Sequence, residues 1–260
     1  KFKQKNLLAV LGMGAAPGVT NIFARIAMEK LDAVQEIHCR VGGKDSTRIP
    51  NPPVIFFPYS PKTVLEENSL NPMIFTRGKH QKVEPRSQKE EVDFGPGVGK
   101  LTAMATLHSE VATLPFFVKG IRECTFKIAF PDDYEQKVSF LAEAGFAKPE
   151  NIDFTAKILS QIPRPRVTPK DMEVVRAYAV GKKKGKIKTV WVDGIFTSKP
   201  AWKASAGDVD TGQPPSIVAQ MLARNEIPAR GVLPPEKCVP VQSFMRELAR
   251  RGMKLRVRVL

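Results

Sequence analysis

Leu7-Leu8-Ala9-Val10-Leu11 runs into Gly12-Met13-Gly14-Ala15-Ala16-Pro17-Gly18 and then Val19-Thr20-Asn21-Ile22-Phe23-Ala24-Arg25-Ile26-Ala27. The first run is short and apolar and reads as a buried strand. After the loop, Val19, Ile22, Phe23, Ile26, Ala27 and Leu31 recur at helical spacing. A strand, a glycine loop and a helix in this order approach the dinucleotide fingerprint, in which glycines bring a pyrophosphate against a helix N-terminus. Two features depart from it. Pro17 stands where a third glycine would let helix and strand pack closely, and the next strand, Glu36 to Val41, closes in Gly42-Gly43-Lys44 before the first acid, Asp45. Three readings stay open: a dinucleotide site, a tight turn without ligand, and a polar-ligand site at the helix's free first amides, those of Val19, Thr20 and Asn21.

Outward from this unit, few regular strand–helix–strand alternations follow. Pro50, Pro52, Pro53 and Pro58 exclude a central strand between Gly42 and Pro61, so that segment crosses a surface or lines a cleft. Ser60-Pro61 starts a helix, with Ser as N-cap and Pro in the first turn. Strands are predicted over Met73 to Arg77, Leu101 to Leu107 and Thr125 to Phe130, with a polar insert from Gly78 to Lys89 and a glycine loop, Gly95-Pro96-Gly97-Val98-Gly99. Asp132-Asp133-Tyr134-Glu135 has a capping-box pattern before a helix with Val138, Leu141 and Ala142 on one face. Val174 to Val180 and Ile187 to Phe196 make a hairpin through the lysine-rich Gly181 to Lys186. Thr211-Gly212-Gln213-Pro214-Pro215 precedes a helix with Ile217, Val218, Met221 and Leu222 on one side, and a last helix runs from about Val241 to Arg251. This mixed order predicts an α+β fold, a mixed and largely antiparallel sheet with helices on one face.

The 260 residues allow one large domain or two smaller ones. Lys and Arg number 41 against 26 Asp and Glu, and the formal charge of +15 attracts polyanions or acidic small molecules without choosing among them. Aromatics are 8% and nowhere interleave with the basic residues, which argues against nucleic acid. No apolar run approaches the roughly 20 residues of a membrane span. Cys39, Cys124 and Cys238 are scattered without a CxxC pair, and His38, His80 and His108 are equally dispersed, so neither a disulfide framework nor a metal site is expected. A reducing, cytoplasmic compartment follows. Lys1, Lys3 and Lys5 before the apolar run superficially resemble a signal peptide, but the glycines and the helix beyond argue that the segment stays in the folded protein.

A resemblance sharpens the picture. Gly12 to Asn21, Arg40-Val41-Gly42-Gly43, Tyr59-Ser60-Pro61-Lys62-Thr63, His108-Ser109-Glu110 with Leu114-Pro115, Gly212-Gln213-Pro214-Pro215 through Arg224, and Gly231 through Glu236 occur in an order that resembles the saccharopine dehydrogenase family over nearly the whole chain. The resemblance implies a C-terminal, substrate-binding and dimerising portion, similar to the C-terminal domain of glyceraldehyde-phosphate-dehydrogenase-like two-domain oxidoreductases. In that family a Rossmann domain comes first and binds NAD or NADP, and nothing ahead of Lys1 supplies its fingerprint. Residues 1–200 are then the catalytic and dimerisation domain and 201–260 a segment packing back on the nucleotide domain, with Ile217, Val218, Met221 and Leu222 partly stranded and the chain inactive alone.

The implied chemistry is hydride exchange with a nicotinamide at the carbon–nitrogen bond of an amino-acid-derived amine that carries carboxylates. His108 and Glu110, a His/carboxylate pair at close spacing, are the catalytic candidates, with a histidine pKa near neutrality expected for proton transfer. Lys62, Arg48, Arg40 and Asn21 are the substrate-binding candidates, Arg48 ranking above Arg40 as a bidentate carboxylate partner. Gly14, Ala16, Pro17, Gly18 and Thr211 are the cofactor-side candidates, Asn21 and Thr211 standing at helix entries. A homodimer is expected. The rival reading is a non-catalytic basic module that binds a polyanion.

Overall fold

The computed structural model describes residues 1–163 and 165–260. It opens with β1 (Leu8–Val10), α1 (Val19–Glu29) and the long β2 (Ala33–Asp45), followed by α2 (Pro61–Ser69), β3 (Met73–Thr76), β4 (Lys79–Lys82), β5 (Glu90–Asp93) and β6 (Lys100–Ala105). The short α3 (Glu110–Thr113) leads to β7 (Glu123–Ala129), α4 (Asp132–Glu143), α5 (Ile152–Leu159) and the hairpin of β8 (Asp171–Lys183) and β9 (Lys186–Thr197). The chain then forms α6 (Ala206–Ala223), β10 (Gly231–Leu233), α7 (Pro235–Cys238), α8 (Val241–Arg250) and β11 (Lys254–Val259).

The main sheet has the order β11-β9-β8-β2-β7-β3-β4, with β6 also joined to β7 and β5 to β6. Its central β2–β7 pair is parallel and its other pairs antiparallel, so the α+β class with a mixed, largely antiparallel sheet holds. Alternation sorts the sheet into two faces. Ile37, Cys39 and Val41 of β2, Val175, Ala177 and Ala179 of β8, and Val190 and Val192 of β9 are buried in one core with α1, α6 and α8. The opposite face carries His38, Arg40, Tyr178 and Trp191, and there the β5–β6 hairpin lays Phe94 against the sheet. The helices α2, α4 and α5 pack on one another in small cores of their own.

Several expectations change. The second strand does not close at Gly42-Gly43 but runs on to Asp45, because its ladder with β8 continues to the Asp45–Asp171 pair; Gly42 is there to admit Phe94, whose ring lies 2.6 Å from where a Cβ would stand. The Leu7–Leu11 run pairs only with β10, in a separate two-stranded parallel sheet, and Leu7 and Leu11 are exposed rather than buried. Asp132 and its neighbours form no capping box; Pro131 is the N-cap, and Asp132, Asp133 and Glu135 sit in the first turn, where the helix dipole favours acids. The hairpin turn shrinks to Lys184-Gly185, both at positive φ, with Lys183 and the Lys184 amide held by Asp32. α6 starts well before Thr211, at Ala206, where Ser205 and Asp208 cap it reciprocally, so Thr211, Pro214 and Pro215 lie inside the helix. Ile217, Val218 and Met221 are buried in the main core instead of stranded; Leu222 alone of the four is exposed. The segment after the last helix is a further strand, β11, which pairs with β9 along the sheet edge and which the sequence pattern does not signal.

Candidate functional site

The glycine loop closes on itself. Gly18 has φ 135°, and a Cβ there would lie 2.2 Å from the Gly14 carbonyl oxygen, so only glycine fits. The Gly14 amide donates to the Pro17 carbonyl at 2.8 Å, and the Val19 and Thr20 amides donate to the carbonyls of Gly14 and Ala15 at 2.9 and 3.1 Å. The Gly18 amide donates to Asn21 Oδ1 at 3.0 Å. The Val19 and Thr20 amides that sequence left open are therefore taken, and a diphosphate finds no cradle here. What remains is a partly exposed floor of Met13, Gly14, Ala16 and Pro17, with the Thr211 methyl 3.7 Å from the Cβ position of Gly14. The Ala16–Pro17 peptide is cis.

Behind this floor runs a chain of acids around one histidine. Glu110 is fully buried; its Oε1 accepts from Thr20 Oγ1 at 2.8 Å and its Oε2 lies 3.2 Å from His108 Nδ1. His108 Nε2 lies 3.3 Å from Glu67 Oε1, and the Tyr59 hydroxyl donates to Glu67 Oε2 at 2.6 Å. Asn21 Nδ2 donates to buried Glu236 at 3.0 Å, which places a second acid by the first turn of α1. The His108 ring stacks on Phe126 with centroids 3.7 Å apart. Burial opposes a charge on His108, but the carboxylates of Glu110 and Glu67 outweigh it and carry its pKa up to about 9. The neutral-range histidine expected from sequence is thus held protonated at pH 7. Burial first, and Glu67 second, push the Tyr59 phenol well above its ordinary value, so it remains a proton donor. The arrangement can hold a proton at Tyr59 and pass charge inward along Glu67 and His108.

The candidates divide. His108, Glu110, Asn21 and the Gly14–Gly18 loop are brought together, and Thr211 joins them from the middle of α6, not from a helix entry. Arg40 is not among them: it is buried on the opposite sheet face, bonded to Glu90, the Cys39 carbonyl and Thr125. Nor does it face solvent, as a strand arginine could. Lys62 pairs with Asp153 at 2.6 Å on the outside of α2. Arg48 is exposed just beyond the end of β2. A second His/carboxylate pair, Glu36 and His38, also lies on the opposite face, where burial and the nearby Arg40 push the His38 pKa down to about 3. The sequence does not mark Glu67, which nothing in its α2 context distinguishes, nor Tyr59, although it opens the Tyr59-Ser60-Pro61-Lys62-Thr63 stretch.

The architecture is that of an α+β domain whose helix-covered sheet face carries an acid–histidine chain, tied at its buried Glu110 end to the helix that follows a glycine loop. The chain belongs to the saccharopine dehydrogenase C-terminal domain family, whose model matches residues 14–253. It is similar to the carboxynorspermidine synthase of Vibrio cholerae serotype O1, 25% identical over 258 residues that cover 92% of this chain and 60% of that protein. It is also similar to the carboxyaminopropylagmatine dehydrogenase of a Synechocystis species, 20% identical over 97% of this chain and 66% of that one. The apo saccharopine dehydrogenase (L-Glu forming) of Saccharomyces cerevisiae shares the fold, with a TM-score of 0.73, 14% identity, and coverage of 99% of this chain and 75% of that one. The chain thus spans about three fifths of the length of the Vibrio cholerae relative.

Proposed function

We propose that this chain is the substrate-binding part of an NAD(P)-dependent oxidoreductase acting on the carbon–nitrogen bond of a carboxylate-bearing, amino-acid- or polyamine-derived amine. The observation that carries the reading is the Tyr59–Glu67–His108–Glu110 chain, whose buried Glu110 end is bonded to Thr20 in the first turn after the Gly14–Gly18 loop. Family membership and the names of the similar proteins support it. The loop does not fit a diphosphate, but its small residues and Thr211 leave a flat surface suited to a nicotinamide ring, with the rest of the nucleotide held by a separate domain. When bound, the cofactor supplies hydride exchange. Tyr59 then moves a proton at the substrate nitrogen, and the charge on His108 steadies the phenol's partner, Glu67. Arg48, at the rim past β2, is the remaining candidate for a substrate carboxylate.

The arrangement proposed is that of two-domain oxidoreductases of the glyceraldehyde-phosphate-dehydrogenase kind. Of residues 201–260, α6, α8 and β11 join the main body, and it is β10 that faces the nucleotide domain: the β1–β10 pair offers it Leu7, Leu11 and Val232, all exposed on a parallel pair that ordinarily has both faces covered. A homodimer through the opposite sheet face is supported by Tyr178 stacked on Trp191 there, with Arg258 over the indole. Three buried free cysteines agree with a reducing, cytoplasmic setting. The test is NAD(P)H oxidation by the full-length protein offered a diamine together with an amino-acid aldehyde. Tyr59→Phe and His108→Gln are expected to lower kcat about a hundredfold. Unchanged kcat in both overturns the reading.

A further inference from the structure

One end of the main sheet gathers cations from separate segments of the chain, and the topology brings them there. The parallel neighbours β2 and β7 both begin at this end; β8, antiparallel to β2, finishes here and turns back as β9, and β3, antiparallel to β7, finishes here too. Backbone bonds join these segments into one rim. The Asp32 amide donates to the Lys182 carbonyl at 2.8 Å, the Arg122 amide to the Gln35 carbonyl at 2.7 Å and the Gly78 amide to the Arg122 carbonyl at 3.1 Å. With neighbouring strands about 4.8 Å apart, the rim from β9 to β3 is about 20 Å long.

Lys182, Lys184 and Lys186 at the hairpin tip, Lys119 and Arg122 ahead of β7, and Arg77 after β3 are all exposed along it. The acids on the rim are already taken. Asp32 holds Lys183 at 3.0 Å and the Lys184 amide at 2.7 Å, Glu29 holds Arg25 at 2.7 Å, and Glu123 accepts from the Thr76 hydroxyl and the Arg77 amide, each at 3.0 Å. None of the six exposed cations is in a salt bridge among the described residues. In the middle of the rim, between the α1–β2 turn and residues 117–119, lies a hollow of about 280 Å³. Met28, Leu31, Val34, Phe117 and Val118 give it an apolar lining, and Lys119 stands beside them.

An apolar hollow ringed by charge has the anatomy of a protein interface, in which one anchoring side chain fills a desolvated pocket and the charged surround steers the approach. The phosphates of a nucleic acid or of a lipid surface would meet the cations and leave the hollow empty. An acidic chain with an apolar residue meets both. We propose that this rim docks an acidic segment of a partner protein, one apolar side chain of which enters the hollow. The eleven residues of α1 separate the rim from the glycine loop by about 16 Å, so the docked segment leaves that loop open. The inference does not depend on the reaction assigned to the chain.

Fluorescence anisotropy on the intact chain tests it, with a labelled oligoglutamate peptide carrying one central phenylalanine as probe. The same peptide without phenylalanine, an oligothymidylate of equal charge and phosphatidylserine vesicles are the comparisons. The phenylalanine peptide should bind about tenfold or more tightly than its all-glutamate counterpart, and both should weaken with added salt. Lys182→Glu, Lys184→Glu and Lys186→Glu combined should weaken both peptides about tenfold or more. Ala33→Trp, which adds bulk to the hollow's exposed lining residue, should erase the difference between the peptides and keep the salt-dependent part. Urea unfolding verifies that both variants fold, and the comparison of the two peptides on the parent stands without either. Equal affinity for the two peptides, no binding of either, or tighter binding of the oligothymidylate or the vesicles overturns the proposal.

Discussion

His108 illustrates what a single side chain owes to its surroundings. With its pKa raised from 6.5 to about 9 by Glu110 and Glu67 against the opposing effect of burial, it favours the folded state while it is charged in the fold. Below about pH 6.5 the unfolded chain is protonated as well, and the contribution is complete; it disappears as pH rises through about 9. At about 1.4 kcal/mol per pKa unit, the contribution is at most about 3–4 kcal/mol. Urea unfolding from pH 6 to 10 should show the parent losing stability across this window while His108→Gln stays flatter. Parallel pH profiles for the two proteins would sink this account of the acid chain.

At the scale of elements, the β8–β9 pairing holds the most consequential ion pair. Arg176 and Asp193 face each other directly in register, both almost wholly buried, joined by two hydrogen bonds of 2.6 and 3.0 Å. The guanidinium lies between Trp191 and Phe94, with its carbon 4.6 and 5.4 Å from the two ring centroids. It also donates to the Asp93 carbonyl, tying the β5–β6 excursion to the sheet. Arg176→Met leaves Asp193 buried, with only the longer contact to Arg258, and should cost about 3–5 kcal/mol in urea unfolding. The double variant Arg176→Met/Asp193→Leu should recover much of that loss. Equal destabilisation by the single and double variants would show that the aromatic packing, not the ion pair, carries the stability.

For the whole molecule, the two sheet faces divide the work. Helices cover one face and enclose the acid–histidine chain, while the other presents Tyr178 stacked on Trp191 at 4.7 Å, with Arg258 over the indole. The proposed dimer uses this second face. Trp191→Ser combined with Arg258→Ala should sediment as a monomer at concentrations where the parent is a dimer. A monomeric parent, or a dimer indifferent to both changes, rules that interface out.

Periodicity and turn chemistry made much of this legible from the residues alone. The helix after the glycine loop, the Ser60-Pro61 start, the β8–β9 hairpin and the α+β class follow from spacing and from where proline and glycine fall, which are local properties of the backbone. The clustering of His108, Glu110, Asn21 and the loop was also within reach, through resemblance. Other features depend on contacts between residues far apart in the chain. Gly42 looked like a turn because Phe94, which needs it to be glycine, is 52 positions away, and Arg40 looked available because its partner Glu90 lies on a hairpin folded back from fifty residues downstream. Glu67 gained meaning only when folding set it beside His108. The sequence by itself determined the helix after the glycine loop, the Ser60-Pro61 helix start, the β8–β9 hairpin and the family pattern they carry. Only the tertiary structure decided which charges are buried and which partners they take, because burial and pairing belong to neighbours in space and leave no periodic trace along the chain.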